Sequence, residues 1–268
     1  MEEQPKIFLI NLKQSQDRLE QSTQRLGSQG VTFDRIDAIY GKDLSEAEVA
    51  EHYSETLNQE KFYRPLSRGE IGCYFSHRMA RQEIVDQQLD YAIVLEDDFK
   101  IVGDLYAVFN ALKQLNGLWD VVKLAAYNNR TRPIRYQAPL NEAFDLVVHN
   151  KTMTGCCAQA ITLAGAKKLL AFSDKFGRPV DTDIQHIWET GVPAVSLMPY
   201  FIEQDLSFDS DIGKTAAGIK FKKHFFKRKK QQIVEKWHNR AATNQLIKEV
   251  QLWSDKLNRP AIDKLEAI

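Results

Sequence analysis

Residues 92–101, AIVLEDDFKI, constrain the fold more strongly than any other segment of the chain. The apolar run predicts a strand buried in a sheet, and it ends abruptly in Glu96, Asp97 and Asp98. Three adjacent carboxylates repel one another, and α/β sheets bind ligands at the carboxyl ends of their strands. This placement predicts a divalent cation that joins the acids to a phosphate. Acids also follow strands as turn formers or helix caps, so the triplet alone leaves both interpretations open.

The composition bounds the class of protein. The chain has 268 residues, of which 43% are hydrophobic and 27% charged, which excludes disorder throughout and allows one large domain with an appendage. We expect neither a signal peptide nor a spanning helix, because the start is acidic and no apolar run approaches roughly 18 residues. Cys73 and the adjacent pair Cys156 and Cys157 predict reduced, buried thiols in the cytoplasm.

A basic stretch lies near the carboxyl end. Ten Lys or Arg occur between Lys214 and Arg240 against one acid, Glu235, so the stretch carries +9 and the rest of this neutral chain −9. Three aromatic residues interleave with the cations, namely Phe221, Phe225 and Phe226. This composition predicts a helix on an anionic membrane surface. Nucleic acid and a solvated face without a partner are the alternatives, and the acidic remainder disfavours nucleic acid.

The same composition shift, at about Gly213, divides the chain into a domain of residues 1–213 and a basic, amphipathic tail of residues 214–268. Apolar residues recur in the tail at helical spacing, namely Leu246, Val250, Trp253 and Leu257. This stripe predicts a helix that docks or dimerises.

Strand patterns alternate with helical patterns over the first two hundred residues. The predicted strands are residues 6–12, 33–41, 91–95, 120–126, 146–149 and 158–163. The predicted helices are residues 14–27, 46–51, 68–87, 104–115 and a segment after residue 163. This order predicts an α/β fold, with a mostly parallel, Rossmann-like sheet sandwiched by helices.

Residues 66–77, LSRGEIGCYFSH, contain a helix start. Ser67 and Glu70 have the spacing of a capping box, which explains them without a ligand. Arg68 and His77 remain, and a helix amino terminus with a nearby arginine is a ready anion site. A single histidine is more often a satisfied structural residue than a catalyst.

The segment RPVDTDIQHIW places Asp181 and Asp183 two residues apart behind a proline. Two carboxylates near Trp188 would supply a general base and a face on which a sugar stacks. Capping of a helix that begins near Thr182 is the alternative interpretation.

Seven blocks occur in the order found in the family 25 glycosyltransferases, which the chain resembles from Lys6 to Gln204. The family includes bacterial lipooligosaccharide galactosyltransferases and collagen galactosyltransferase domains. The blocks are KIFLINLKQSQDR, FDRIDAIYGKDLS, LSRGEIGCYFSH, YAIVLEDDF, DVVKLAA, GCCAQAITLAGAKKLL and RPVDTDI. The resemblance implies a GT-A-type fold, a nucleotide-diphosphate sugar donor, and inverting transfer that depends on Mn²⁺ or Mg²⁺.

The resemblance also implies roles for residues. The triplet matches the family's counterpart of the DxD motif; because it is EDD, which carboxylates ligate the metal stays open. Asp98 and Glu96 are the metal candidates, and Asp181 or Asp183 is the base. The candidates for binding the donor are Asn11, Leu12, Arg18, Arg68, His77, Glu96, Asp97 and Lys123.

The predicted reaction is transfer of a hexose, with UDP-galactose favoured as donor, to a saccharide of lipooligosaccharide or lipopolysaccharide. The predicted location is the cytoplasmic face of the membrane, where the tail meets a lipid-linked acceptor. A sugar-nucleotide pyrophosphorylase is an alternative, although NLKQSQDR lacks the glycine-rich loop expected after its first strand. A glycosidase or a non-catalytic sugar-binding protein is the other.

Overall fold

The structure is a computed structural model that describes residues 4–115, 118–126, 132–207 and 225–257. Its strands are β1 (Lys6–Leu12), β2 (Asp34–Ala38), β3 (Tyr91–Glu96), β4 (Phe99–Ile101), β5 (Val121–Lys123), β6 (Ile134–Pro139), β7 (Asp145–His149), β8 (Ala158–Thr162), β9 (Ala194–Met198) and β10 (Ile202–Gln204). Its helices are α1 (Gln16–Ser28), α2 (Glu46–His52), α3 (Glu55–Lys61), α4 (Arg68–Asp86), α5 (Leu105–Gln114), α6 (Leu163–Phe172), α7 (Val180–Ile184), α8 (Ile187–Thr190) and α9 (Phe225–Leu257).

An eight-stranded sheet forms the centre, in the order β2-β1-β3-β8-β5-β9-β7-β6. Six of these strands point in one direction, and β8 and β7 point the other way. The predicted α/β class is therefore confirmed, with a sheet that is mostly parallel by strand direction. Because β8 is antiparallel, its first residue, Ala158, lies opposite Leu95 near the end of β3. This arrangement brings the segment before β8 to the edge of the sheet where the acids lie.

The sheet has a separate core on each face. In β1, Phe8 and Ile10 pack into the core that includes α4, whereas Ile7 and Leu9 pack into the core on the opposite face. This alternation is the period of two of a strand buried on both sides. In β3, Val94 lies on the α4 face, so Glu96, two residues later, projects to the same face.

Helix α4 is fixed at its amino end by the predicted capping box. The Ser67 hydroxyl accepts a bond from the Glu70 backbone N–H, and the Glu70 carboxylate accepts one from the Ser67 backbone N–H. Gly72 then allows close packing, since a Cβ there would lie 2.6 Å from the Ile39 carbonyl oxygen. These contacts set the position of the next turns of α4, which face the acids.

Helix α9 packs against β6, β7 and α8. Leu246 and Val250 are buried in the core and Trp253 packs against it, so the predicted helical stripe docks within this chain. The side chain of Leu257, the boundary at Gly213 and the first part of the basic stretch lie outside the described residues. Among the described helices, none is both long enough and apolar enough to cross a bilayer.

Candidate active site

The three acids after β3 are bound by three different parts of the fold. Asp97 is held by β1 and α1: Asn11 Nδ2 donates to Oδ2 at 2.6 Å, and Arg18 Nη1 donates to Oδ1 at 3.0 Å. Leu12, at the end of β1, is half-buried beside them. The structure thus brings together the predicted donor-binding residues of the first block. Since both oxygens of Asp97 already accept charged or polar donors, Asp97 orders this group.

Asp98 faces β10. Gln204 Nε2 donates to its Oδ2 at 2.6 Å, whereas Oδ1 is buried and has no nitrogen or oxygen donor among the described residues. Burial and then the charge of Glu96 raise the pKa of Asp98 to about 6, against the opposing effect of Gln204. A buried acceptor without a partner costs about 1–3 kcal/mol. A hard cation at Oδ1 would remove that cost, so this carboxylate fits the predicted Mn²⁺ or Mg²⁺.

Glu96 projects toward α4. His77 Nε2 lies 2.9 Å from its Oε1, and Cys73, one turn earlier, places its thiol 3.9 Å from the same oxygen. Burial lowers the pKa of His77 to about 3, and nearby Arg81 and Lys123 lower it further, so the ring is neutral and donates to the carboxylate.

The ligand atoms of Cys73, His77 and Glu96 all lie within 4.8 Å of one another. A thiol and an imidazole are softer ligands than Mn²⁺ or Mg²⁺ prefers. In this arrangement His77 and Cys73 fix the Glu96 carboxylate, which has the chemistry to ligate such a cation.

Lys123 and Asp181 meet at one glycine. Lys123 is fully buried at the end of β5 and its Nζ donates to the Gly155 carbonyl oxygen. The Gly155 N–H donates to Asp181 Oδ2 at 3.3 Å. Gly155 has a φ of 82°, a conformation that favours glycine. The charges of Lys123 and Asp181 both act on the pKa of Glu96, so these predicted residues form one electrostatic group.

Asp183 has a different environment from Asp181. It is buried, Tyr74 Oη donates to its Oδ2 at 2.8 Å, and Arg178 Nε donates to its Oδ1 at 2.6 Å. Burial raises the pKa of Asp183, and Arg178 opposes that shift. Neither aspartate caps α7, whose N-cap residue is Pro179. Asp183 therefore has the contacts of a structural ion pair, and Asp181 is the half-buried member with weakly bound oxygens.

Two predicted site residues are directed elsewhere. Arg68 donates to the Leu44 carbonyl oxygen and to Glu46 of α2, neither of which belongs to the acidic group. Trp188 stacks on His238 of α9, with ring centroids 5.5 Å apart and planes 11° apart. The face predicted to hold a sugar is thus covered by a histidine of the tail.

The sequence reasoning missed Cys73, Gly155 and Gln204 as site residues. Cys73 precedes His77 by four residues, so the predicted helix over residues 68–87 contained the signal that both share a face. Gln204 carries no local signal, because it reaches Asp98 only through the pairing of β10 with β4.

Glu96→Gln is expected to stabilise the metal-free protein more at pH 8 than at pH 5. Burial raises the pKa of Glu96 from 4.5 to about 7, so between these values the folded state binds more protons than the unfolded state. The stability of the natural chain therefore falls as pH rises through this window. Because the side chain keeps 23% exposure, we expect about 2 kcal/mol at pH 8. Urea unfolding in EDTA measures this; an equal difference at both pH values would contradict it.

The comparisons with known proteins agree with this geometry. Residues 4–184 match the glycosyltransferase family 25 profile, described as an LPS biosynthesis protein. The match spans more than half of the chain, so the chain belongs to glycosyltransferase family 25.

Two relatives and one solved structure illustrate the range. Procollagen galactosyltransferase 1-B of Xenopus laevis is 31% identical over 209 residues, which cover 75% of this chain and 33% of that protein. A putative glycosyltransferase of Haemophilus influenzae is 26% identical over 219 residues, covering 76% and 74%. A glycosyltransferase involved in glycosylation of the major capsid of PBCV-1 gives a TM-score of 0.42 at 8% identity, covering 79% and 97%. The chain spans about a third of the length of the procollagen relative.

Proposed function

We propose that this protein is an inverting, metal-dependent hexosyltransferase of the GT-A type, which uses a nucleotide-diphosphate sugar. The observation that carries the proposal is the convergence at one sheet edge of Asn11 and Arg18 with a carboxylate oxygen of Asp98 that has no described donor. Transfer requires a cation to neutralise the leaving diphosphate and a base to deprotonate the acceptor. This edge contains candidates for both roles.

The donor diphosphate binds, in this proposal, between Arg18 and the metal. Asp98 and Glu96 hold Mn²⁺ or Mg²⁺, which neutralises charge on the leaving diphosphate when bound. Arg18 is ordered by Asp97, so its guanidinium is positioned before the donor arrives. Asn11 and Leu12 contact the nucleotide base, and Lys123 sets the charge balance around Glu96.

Asp181 is the proposed base that takes the proton from the acceptor hydroxyl. Its Oδ2 accepts only a long bond, 3.3 Å, from the Gly155 N–H, and its Oδ1 lies 3.4 Å from the Thr182 hydroxyl. A base needs a lone pair that is free to accept a proton from substrate. Asp183 does not meet this requirement, because Tyr74 and Arg178 already donate to its two oxygens.

The proposed donor is UDP-galactose and the proposed acceptor is a saccharide of lipooligosaccharide or lipopolysaccharide. The galactosyltransferase named among the relatives supports galactose, and the family description supports an LPS acceptor. A thermal-shift panel of nucleotide sugars with and without Mn²⁺ tests the donor class. A donor at 100 times its Kd stabilises by about 2.7 kcal/mol. A shift that requires both UDP-galactose and Mn²⁺ is expected; no shift with any nucleotide sugar would exclude the proposal.

We also propose that the enzyme acts at the cytoplasmic face of the membrane, where the basic tail contacts anionic lipid. In the described part of the tail, Arg228 and Lys229 are exposed, as are the apolar side chains of Ile233 and Trp237. Basic and apolar groups together bind an anionic interface.

Co-sedimentation with vesicles is expected to show pelleting with anionic lipid and little with neutral lipid. Each basic residue near an anionic surface contributes on the order of 1 kcal/mol. The attraction should weaken at 1 M salt, where screening shortens to about 3 Å. Equal pelleting with neutral and anionic vesicles, unchanged by salt, would assign the tail a purely structural role.

A further inference from the structure

A second cleft lies between α9 and the β6–β7 hairpin, on residues that the proposed catalytic group does not use. Its volume is about 370 Å³, which is in the range of sites that bind small ligands. It is lined by five cations and one acid, namely Arg132, Arg135, Lys151, Lys236, Arg240 and Glu235. Such an excess of positive charge in a concave site favours an anion.

The single acid in the cleft is already paired. Glu235 accepts from Lys151 Nζ at 2.8 Å and lies 3.4 Å from His186 Nε2. These partners lower the pKa of Glu235 to about 2, so it stays ionised and satisfied. Lys236 and Arg240, four residues apart, lie on one side of α9 as i and i+4 neighbours, and both are exposed. Their charges are therefore not neutralised by the acid of the cleft.

The opposite wall is also positively charged. Arg135 is exposed and bonds to Asn244 at 3.1 Å, a neutral partner that leaves its charge in place. The buried His149 beside Arg132 has a pKa lowered by burial and by the charge of Arg132, so it adds no further charge. Guanidinium groups on two walls match the geometry of a phosphate, which accepts paired N–H donors.

The cleft is linked to the proposed base through a short chain of contacts. Glu235 contacts His186, and His186 Nδ1 lies 2.7 Å from the Thr182 carbonyl oxygen. Thr182 follows Asp181 directly in α7. A ligand in the cleft would therefore lie against the helix that reaches the wall of the acceptor side. Lys151 adds a second link, since it lies in the segment that leads to Gly155.

We propose that this cleft binds a phosphate monoester carried by the acceptor saccharide. The volume accommodates a phosphate with one sugar ring, and the charge selects a phosphorylated sugar over a neutral one. The identity of the site as an acceptor subsite rests on the proposed transferase function; the phosphate binding itself does not.

Calorimetry with glucose 6-phosphate and with glucose tests the cleft on the full chain. We expect the phosphate ester to bind and glucose not to bind. The double variant Lys236→Glu, Arg240→Glu should weaken the ester at least about tenfold, since it removes two charge-assisted contacts. Lys248→Glu is the matched control, an exposed lysine of the same helix outside the cleft, and should bind the ester like the natural chain.

Equal ester affinity in the double variant and the natural chain would overturn the proposal, as would equal binding of glucose and its phosphate. Binding to anionic vesicles without binding to the soluble ester would also overturn it, and would assign these cations to a lipid surface. Because calorimetry needs neither donor nor turnover, failure here is separate from failure of the transferase proposal.

Discussion

Asp98→Ala is expected to lower turnover by about 10³-fold while leaving the fold intact. Removal of one group that stabilises developing charge costs about that factor. Asp98 supplies the carboxylate oxygen for which the described residues offer no donor, so its loss removes the proposed cation. The variant should not unfold, because the pKa of this half-buried carboxyl is raised by burial and its ionised form is costly in the metal-free protein. Steady-state assays over a Mn²⁺ titration measure the effect.

Asp90→Ala is the matched control for Asp98→Ala. Asp90 is an exposed acid just before the other end of β3, so its removal changes the charge of the same strand without touching the site. It should keep natural turnover and the same dependence on Mn²⁺. Near-natural turnover of Asp98→Ala in buffer with EDTA would show that the metal assignment is wrong.

Asp181→Asn is expected to lower kcat by about 10² to 10⁴ with little change in donor affinity. These factors are typical for loss of a general base. Its melting temperature should stay close to that of the natural chain, because Asp181 has only long contacts, at 3.3 and 3.4 Å. Measurement of kcat and of donor Kd for the purified variant separates the two effects. A loss below tenfold would remove Asp181 from the mechanism.

Asp183→Asn provides the contrast, because its main effect should be on stability. Breaking a buried ion pair by removing one charge costs about 3–5 kcal/mol. Arg178 would lose the Asp183 charge and keep only the Glu189 carboxylate. If Asp183→Asn keeps its stability and loses kcat, then the two aspartates have the opposite roles from those proposed.

The parts of the fold that follow from the sequence are those with strong local patterns. The strand at β3 and the helix at α4 are confirmed, because a buried apolar run and a capping box are signals contained in a few consecutive residues. Strands β6 and β9 were not predicted. β6 is an edge strand whose side chains are mostly exposed, so it has no clear alternation, and β9 is five residues long and follows Pro193.

The site divides in the same way. The carboxyl edge of the parallel strands placed Asn11, the acids and Lys123 together, as the topology rule predicts. Their partners could not be predicted, because Gln204 reaches Asp98 across 106 residues of sequence and Tyr74 reaches Asp183 across 109. The different roles of Asp181 and Asp183 depend on these tertiary contacts. Two acids with identical local patterns are distinguished only by what packs around them.

The account is tested most directly by time-resolved ¹H NMR of UDP-galactose incubated with the enzyme and Mn²⁺. Slow transfer to water makes the test independent of the acceptor. An inverting enzyme acts on this α-linked donor through one displacement with a base, so β-galactose should appear first, before mutarotation mixes the anomers. The rate should fall to background in EDTA. Initial release of α-galactose, or release that does not depend on the metal, would contradict the account.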